Sequence, residues 1–117
     1  MLESGNKGRV VGVVLADGSC PAYTFLKDLQ LPEFKSRMKV FCERGTLKNP
    51  QLMRELTTDK KDPSISEIKV DAGQGWRLYG VRRGSLFVAT HGGAKPKPNR
   101  VKAEVEKARR IYEEWQR

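Results

Sequence analysis

One histidine, His91, follows a set of basic and aromatic residues at alternating positions: Lys69, then Arg77 and Tyr79. Imidazole is the side chain whose ordinary pKa suits proton transfer near neutrality. Beside cations it could serve RNA cleavage, in which a ribose 2′-hydroxyl attacks the adjacent phosphate. That reaction needs a proton acceptor, cations to offset charge growing on the phosphorane, and a donor for the leaving 5′-oxygen. His91 is the candidate acid or base, and Arg77 and Lys69 are candidate charge stabilisers. Arg is the better phosphate clamp, because its planar fork binds two oxygens. Tyr79 joins them as a candidate site residue. Lys95 and Lys97, just past His91, are placed to hold the backbone of a bound strand. Arg82, Arg83, Arg100, Lys60 and Lys61 are further candidate RNA contacts. The same residues also fit plainer roles: a strand-end histidine in a structural role, surface arginines, and a tyrosine packed at the sheet edge.

The elements that would bring these residues together follow from alternation. Arg9-Val-Val-Gly-Val-Val-Leu-Ala16 is a β-branched run bounded by Asp17-Gly18 and reads as a strand. Ser19 is placed to cap a helix, with Pro21 in its first turn. Pro32 opens a second helix, in which Phe34, Met38 and Phe41 share one face, and Gly45 is a plausible stop. After a short apolar pattern at Leu52, Met53 and Leu56 come three strand-like runs, Ser64–Val70, Trp76–Arg82 and Ser85–His91. Their short glycine-containing links predict an antiparallel meander. From Asn99 to Arg117 the pattern is helical, with Val101, Val105, Ala108, Tyr112 and Trp115 on one face. The order β-α-α-β-β-β-α belongs to the α+β class. It predicts one domain spanning 1–117, with residues 1–8 a loose leader, a four-stranded, mostly antiparallel sheet, a helical hairpin on one face and a C-terminal helix. With Ile68, Val70, Trp76 and Leu78 turned toward the hairpin, Lys69, Arg77 and Tyr79 are expected on the uncovered face. His91 shares the parity of Phe87 and Ala89, so its facing is less determined.

Charge points the same way. The 117 residues carry 23 Lys and Arg against 14 Asp and Glu, a net charge of +9, which favours polyanionic partners. Between Asp71 and Glu104 there is no acid, and seven basic residues fall in that run. No apolar stretch approaches the ~18–20 residues that span a bilayer, and Met1–Gly5 lacks the pattern of a signal peptide. Cys20 and Cys42 are in no metal-ligand spacing, and Cys42 reads as a small core residue. These features predict a cytoplasmic chain. Spacing and charge alone lead to a small α+β protein directed at nucleic acid.

Four stretches add a family resemblance: Ile65-Ser-Glu-Ile-Lys-Val70, Gly75-Trp-Arg-Leu-Tyr79, Leu86-Phe-Val-Ala-Thr-His-Gly92 with Lys95, and Glu104-Val-Glu-Lys-Ala108. Together they resemble the RelE/ParE superfamily of toxins of bacterial type II toxin–antitoxin systems, and most of all its HigB-like, phage-derived branch. Lys69 stands where that branch has Arg, Gly93 where it has Phe, Pro96 where Lys is common and Val101 where Pro is common.

The resemblance implies a RelE-like fold and a cytoplasmic toxin, bacterial or phage-encoded. It implies a hydrolase of the mRNA interferase kind: an endoribonuclease that cleaves mRNA on translating ribosomes without a metal or other cofactor. His91, Arg77, Lys69 and Tyr79 would be at its site, and the basic face would contact mRNA and ribosomal RNA. A cognate antitoxin would cover that face, with no membrane involved. Two alternatives share the fold: a non-enzymatic inhibitor of the gyrase-poison kind, and an inactive phage or mobile-element module that binds RNA or protein.

Overall fold

Six strands form one sheet, two more than the sequence pattern predicts. The structure, a computed structural model, describes residues 1–57 and 62–117. In chain order the elements are β1 (Glu3–Ser4), β2 (Arg9–Gly12), α1 (Pro21–Leu29), α2 (Pro32–Arg44), β3 (Met53–Glu55), β4 (Ile65–Val70), β5 (Trp76–Arg83), β6 (Leu86–Ala94) and α3 (Val101–Gln116). One 3-10 turn, Pro98–Arg100, leads into α3. The sheet order is β1-β2-β6-β5-β4-β3. Only β2 and β6 run parallel; every other neighbouring pair is antiparallel.

The expected loose leader is a correction. Leu2 N donates to Val10 O at 2.8 Å, Lys7 N donates to Cys42 O at 3.0 Å, and Glu3–Ser4 pairs with β2. β2 is also shorter than the apolar run of residues 9–16 that contains it. Val13 still donates to Ala89 O, but Leu15 N donates to Ser19 O at 2.8 Å, so the chain turns there. Ser19 spends its hydroxyl on Asp17 Oδ1 at 2.6 Å, and the residue before the helix, Cys20, makes no side-chain cap. The β5–β6 connection is a two-residue turn, Gly84-Ser85, with Gly84 at φ +59°. Glycine at that first central position matches the twist of the paired strands.

The sheet is covered on both faces. Phe34, Met38 and Phe41 of α2 and Ala22 of α1 pack on Ile68, Val70, Leu78 and Phe87. Val105, Ala108 and Tyr112 of α3 pack on Ile65, Tyr79, Val81 and Val88 of the opposite face. Each fully buried large side chain stabilises the fold by about 1.5–3 kcal/mol, so both layers matter. Here the expected open face is corrected, because α3 lies on it. The apolar stripe of that helix has to be buried somewhere, and the hairpin already occupies the other side. No helix among the described residues is long and apolar enough to cross a membrane.

A buried histidine–glutamate pair and its cationic rim

Residues that oppose one another across β4, β5 and β6 form rungs, and two rungs carry the candidate site. One is Glu67, Tyr79 and His91; the other, next on the same face, is Lys69, Arg77 and Gly93. Simple alternation from Phe87 and Ala89 would send His91 to the hairpin side. A bulge prevents this. Tyr79 opposes His91 and Gly80 opposes Ala89, leaving Thr90 as the extra residue. An extra residue re-aims the side chains beyond it, and His91 thereby joins Tyr79 beneath α3.

The imidazole is fully engaged. It stacks on the Tyr79 ring with centroids 4.7 Å apart. His91 Nε2 lies 2.7 Å from Glu104 Oε2, and Nδ1 lies 3.2 Å from Thr90 Oγ1. Thr90 Oγ1 is also 3.2 Å from Tyr79 O. A hydroxyl has one proton, so with a neutral imidazole donating from Nε2 to the carboxylate, Thr90 serves either Nδ1 or the carbonyl. His91 is 2% exposed, whereas the Glu104 side chain is 32% exposed. Glu104 is therefore the member of the pair that solvent reaches.

Burial pushes the His91 pKa below its ordinary value, against the opposing pull of the Glu104 hydrogen bond. The folded protein thus prefers the neutral ring, while the unfolded chain protonates near 6.5. Stability from this group is fully present above about pH 6.5 and is lost as pH falls through the lower folded value. Denaturation midpoints should decline below about pH 6.5, and a His91→Gln variant should show a flatter decline. An unchanged slope in that variant would assign the acid sensitivity elsewhere.

Tyr79 is completely buried, and its hydroxyl has no hydrogen-bond partner among the described residues. Burial, together with the Glu104 and Glu67 charges, pushes its pKa far above the usual phenol range. Its ring packs with Val81, Val88 and the α3 side chains and stacks on His91.

Arg77 is 4% exposed and lies between two carboxylates. Its Nε is 3.3 Å from Glu67 Oε1, and its Nη1 is 2.9 Å from Asp71 Oδ1. Glu67 is 2% exposed and also receives Arg54 Nη2 at 2.9 Å. The expectation that Arg77 and Tyr79 stand free on an open face is corrected on both counts. Lys69 is half-buried on the same face.

The other basic residues divide. Arg82 points to the hairpin side, with its guanidinium 5.9 Å from the Phe41 ring centroid and a 3.0 Å bond to Thr46 Oγ1. It therefore does not share a face with His91. Arg83 is at the far end of β5, bonded to Asp62 at 3.0 and 3.2 Å and lying over Tyr112. Lys95, Lys97 and Arg100 are exposed beyond β6. Lys60 and Lys61 lie outside the described residues.

Glu104, Glu67, Thr90 and Asp71 belong to the site although the sequence pattern does not single them out. Glu104 carried a usable signal. It falls three residues after Val101 and four before Ala108, inside the apolar stripe, and a carboxylate there must find a partner under the helix. No group of three or more His, Cys, Asp and Glu among the described residues could hold a metal ion. In comparisons with protein-family models and with curated proteins, nothing matches this sequence.

Proposed function

We propose that the protein is an endoribonuclease of the RelE/ParE toxin kind, acting on mRNA at the ribosome, with a cognate antitoxin as its regulating partner. The observation that carries this reading is the 2.7 Å pair in which a buried, neutral-leaning imidazole holds a partly exposed carboxylate. Such a pair suits a general base. In the proposed step, the Glu104 oxygen not bonded to His91 takes the proton of a ribose 2′-hydroxyl as the 2′-oxygen attacks the phosphorus. The bond to the 5′-oxygen breaks, leaving a 2′,3′-cyclic phosphate, and the leaving oxygen gains a proton from water or a nearby lysine. His91 then acts as a positioning residue for Glu104, a change from the direct acid–base role read from sequence. Lys107, whose charge acts on His91, and Lys69 and Lys95 at the end of the same face are candidate cations for the phosphorane charge. The net charge of +9 supports a polyanionic partner.

Primer extension on an mRNA under translation tests the reading. The wild-type protein should produce new cleavage sites, and Glu104→Gln should reduce them about 10²-fold or more. Conversely, His91→Gln should lower the rate and alter its pH profile while leaving some cleavage. Undiminished cleavage by Glu104→Gln would remove the carboxylate from the chemistry. Absence of cleavage by a folded wild-type protein would overturn the nuclease reading.

A further inference from the structure

At the end of the site face, Arg77 holds one exposed carboxylate, with Lys69 opposite Arg77 on the sheet and Lys95 beside Gly75 of the carboxylate's turn. Asp71 lies in the turn between β4 and β5 and is 62% exposed, yet its Oδ1 sits 2.9 Å from Nη1 of the almost fully buried Arg77. The Arg77 hydrogen bond holds the Asp71 carboxyl below the usual carboxylate range, with smaller contributions from the charges of Lys69 and Lys95. Lys95 is tied to this place by its backbone, which donates to Gly75 O at 2.9 Å. Across the strand pair from Arg77 stands Gly93, and nothing lies within 4 Å of where a Cβ would be. Space is thus open on the rung of the guanidinium, and the Asp71 carboxylate is its exposed partner there. A carboxylate and a phosphodiester oxygen satisfy a guanidinium in the same way.

We propose that Arg77, Lys69 and Lys95 form a phosphodiester-binding site that the chain's own Asp71 carboxylate fills, so that a single-stranded RNA backbone binds there by displacing Asp71. The RNA part of this proposal rests on the function proposed above; the anion site stands on its own geometry. Asp71 is a built-in competitor, and the protein's affinity for RNA is set below what its cations alone would give.

The experiment measures binding of a 2′-O-methyl RNA octamer, which cannot be cleaved through its 2′-oxygen, and of tripolyphosphate. It uses the wild type, Asp71→Asn and Asp17→Asn across a range of salt. Asp17 is exposed on the β2–α1 connection, where its carboxylate is bonded to Ser19 and not to a cation of the site, so its variant controls for the added net charge. Asp71→Asn should bind the octamer about fivefold or more tighter than Asp17→Asn, and its logarithmic salt slope should steepen by about 0.7, the value of one further phosphate contact on a single strand. Adding Lys95→Gln to Asp71→Asn should remove much of the gain. Equal affinities and slopes for the two Asp variants with both probes would overturn the proposal. Tighter tripolyphosphate binding by Asp71→Asn, with no octamer binding by any variant, would keep the anion site and overturn RNA as its ligand.

Discussion

Glu67→Ala should lower the free energy of unfolding by about 3 kcal/mol, and Arg77→Ala by a similar amount. Each residue is less than 5% exposed, and each faces the other at 3.3 Å. Removing one leaves a charge in a poorly solvated place. The loss falls at the low end of the ~3–5 kcal/mol range for broken buried pairs, because each keeps a second partner: Arg54 for Glu67, Asp71 for Arg77. The double replacement Glu67→Leu with Arg77→Met should cost less than the two single alanine losses added together, since the charges it leaves unpaired, Arg54 and Asp71, are exposed to water. Urea unfolding of the three variants measures this. Single losses below about 1 kcal/mol that simply add would mark the pair as solvent-screened. It follows that lost activity in Arg77→Ala says nothing of chemistry until its folding has been measured.

The second large effect concerns two glycines. A Cβ at Gly80 would collide with the Val88 carbonyl oxygen and stand 2.7 Å from Phe87 Cζ. The obstacle is backbone of the neighbouring strand beside the bulge, and it cannot yield without breaking the ladder. Gly80→Ala should therefore cost about 3 kcal/mol, the upper part of the overpacking range. At Gly92 a Cβ would collide with the ring of Phe25 from α1. That obstacle is a side chain. Gly92→Ala should be strongly destabilising alone and partly rescued by Phe25→Ala, whereas no single side-chain deletion should rescue Gly80→Ala. Thermal melts of the singles and the double decide this; additive losses at positions 92 and 25 would contradict the geometry.

How much of this was readable beforehand depends on how local each cause is. The meander was legible because alternation and turn chemistry lie within short windows: Ile65–Val70, Trp76–Arg83 and Leu86–Ala94 match the expected runs within a few residues. Cys42 is buried, as its helical setting suggested. By contrast, β1 and β3 are too short to carry a period and exist because neighbouring strands offer them a ladder. The placement of α3 on the site face is a long-range choice made by packing. Most consequential was the bulge at Thr90. One extra residue changed the parity of His91, and nothing in Ala89-Thr90-His91 announces it. The acidic partners were missed for a related reason. Glu67, Asp71 and Glu104 lie at and beyond the borders of the acid-free run, and only the fold brings them onto Arg77 and His91 within it.

The parallel pairing of β2 with β6 also governs the order of assembly. Arg9 meets Leu86, and Gly12 meets Ala89, so a strand made early has its inner neighbour made late. At about 5–20 residues per second of synthesis, β2 emerges seconds before β6. During that interval only the two-residue β1 can pair with it, and the edge at Val10 and Val11 remains sticky. Nascent chains halted before Leu86 should therefore be the species that associate with one another or engage a holding chaperone, while chains extended past Ala94 close the sheet.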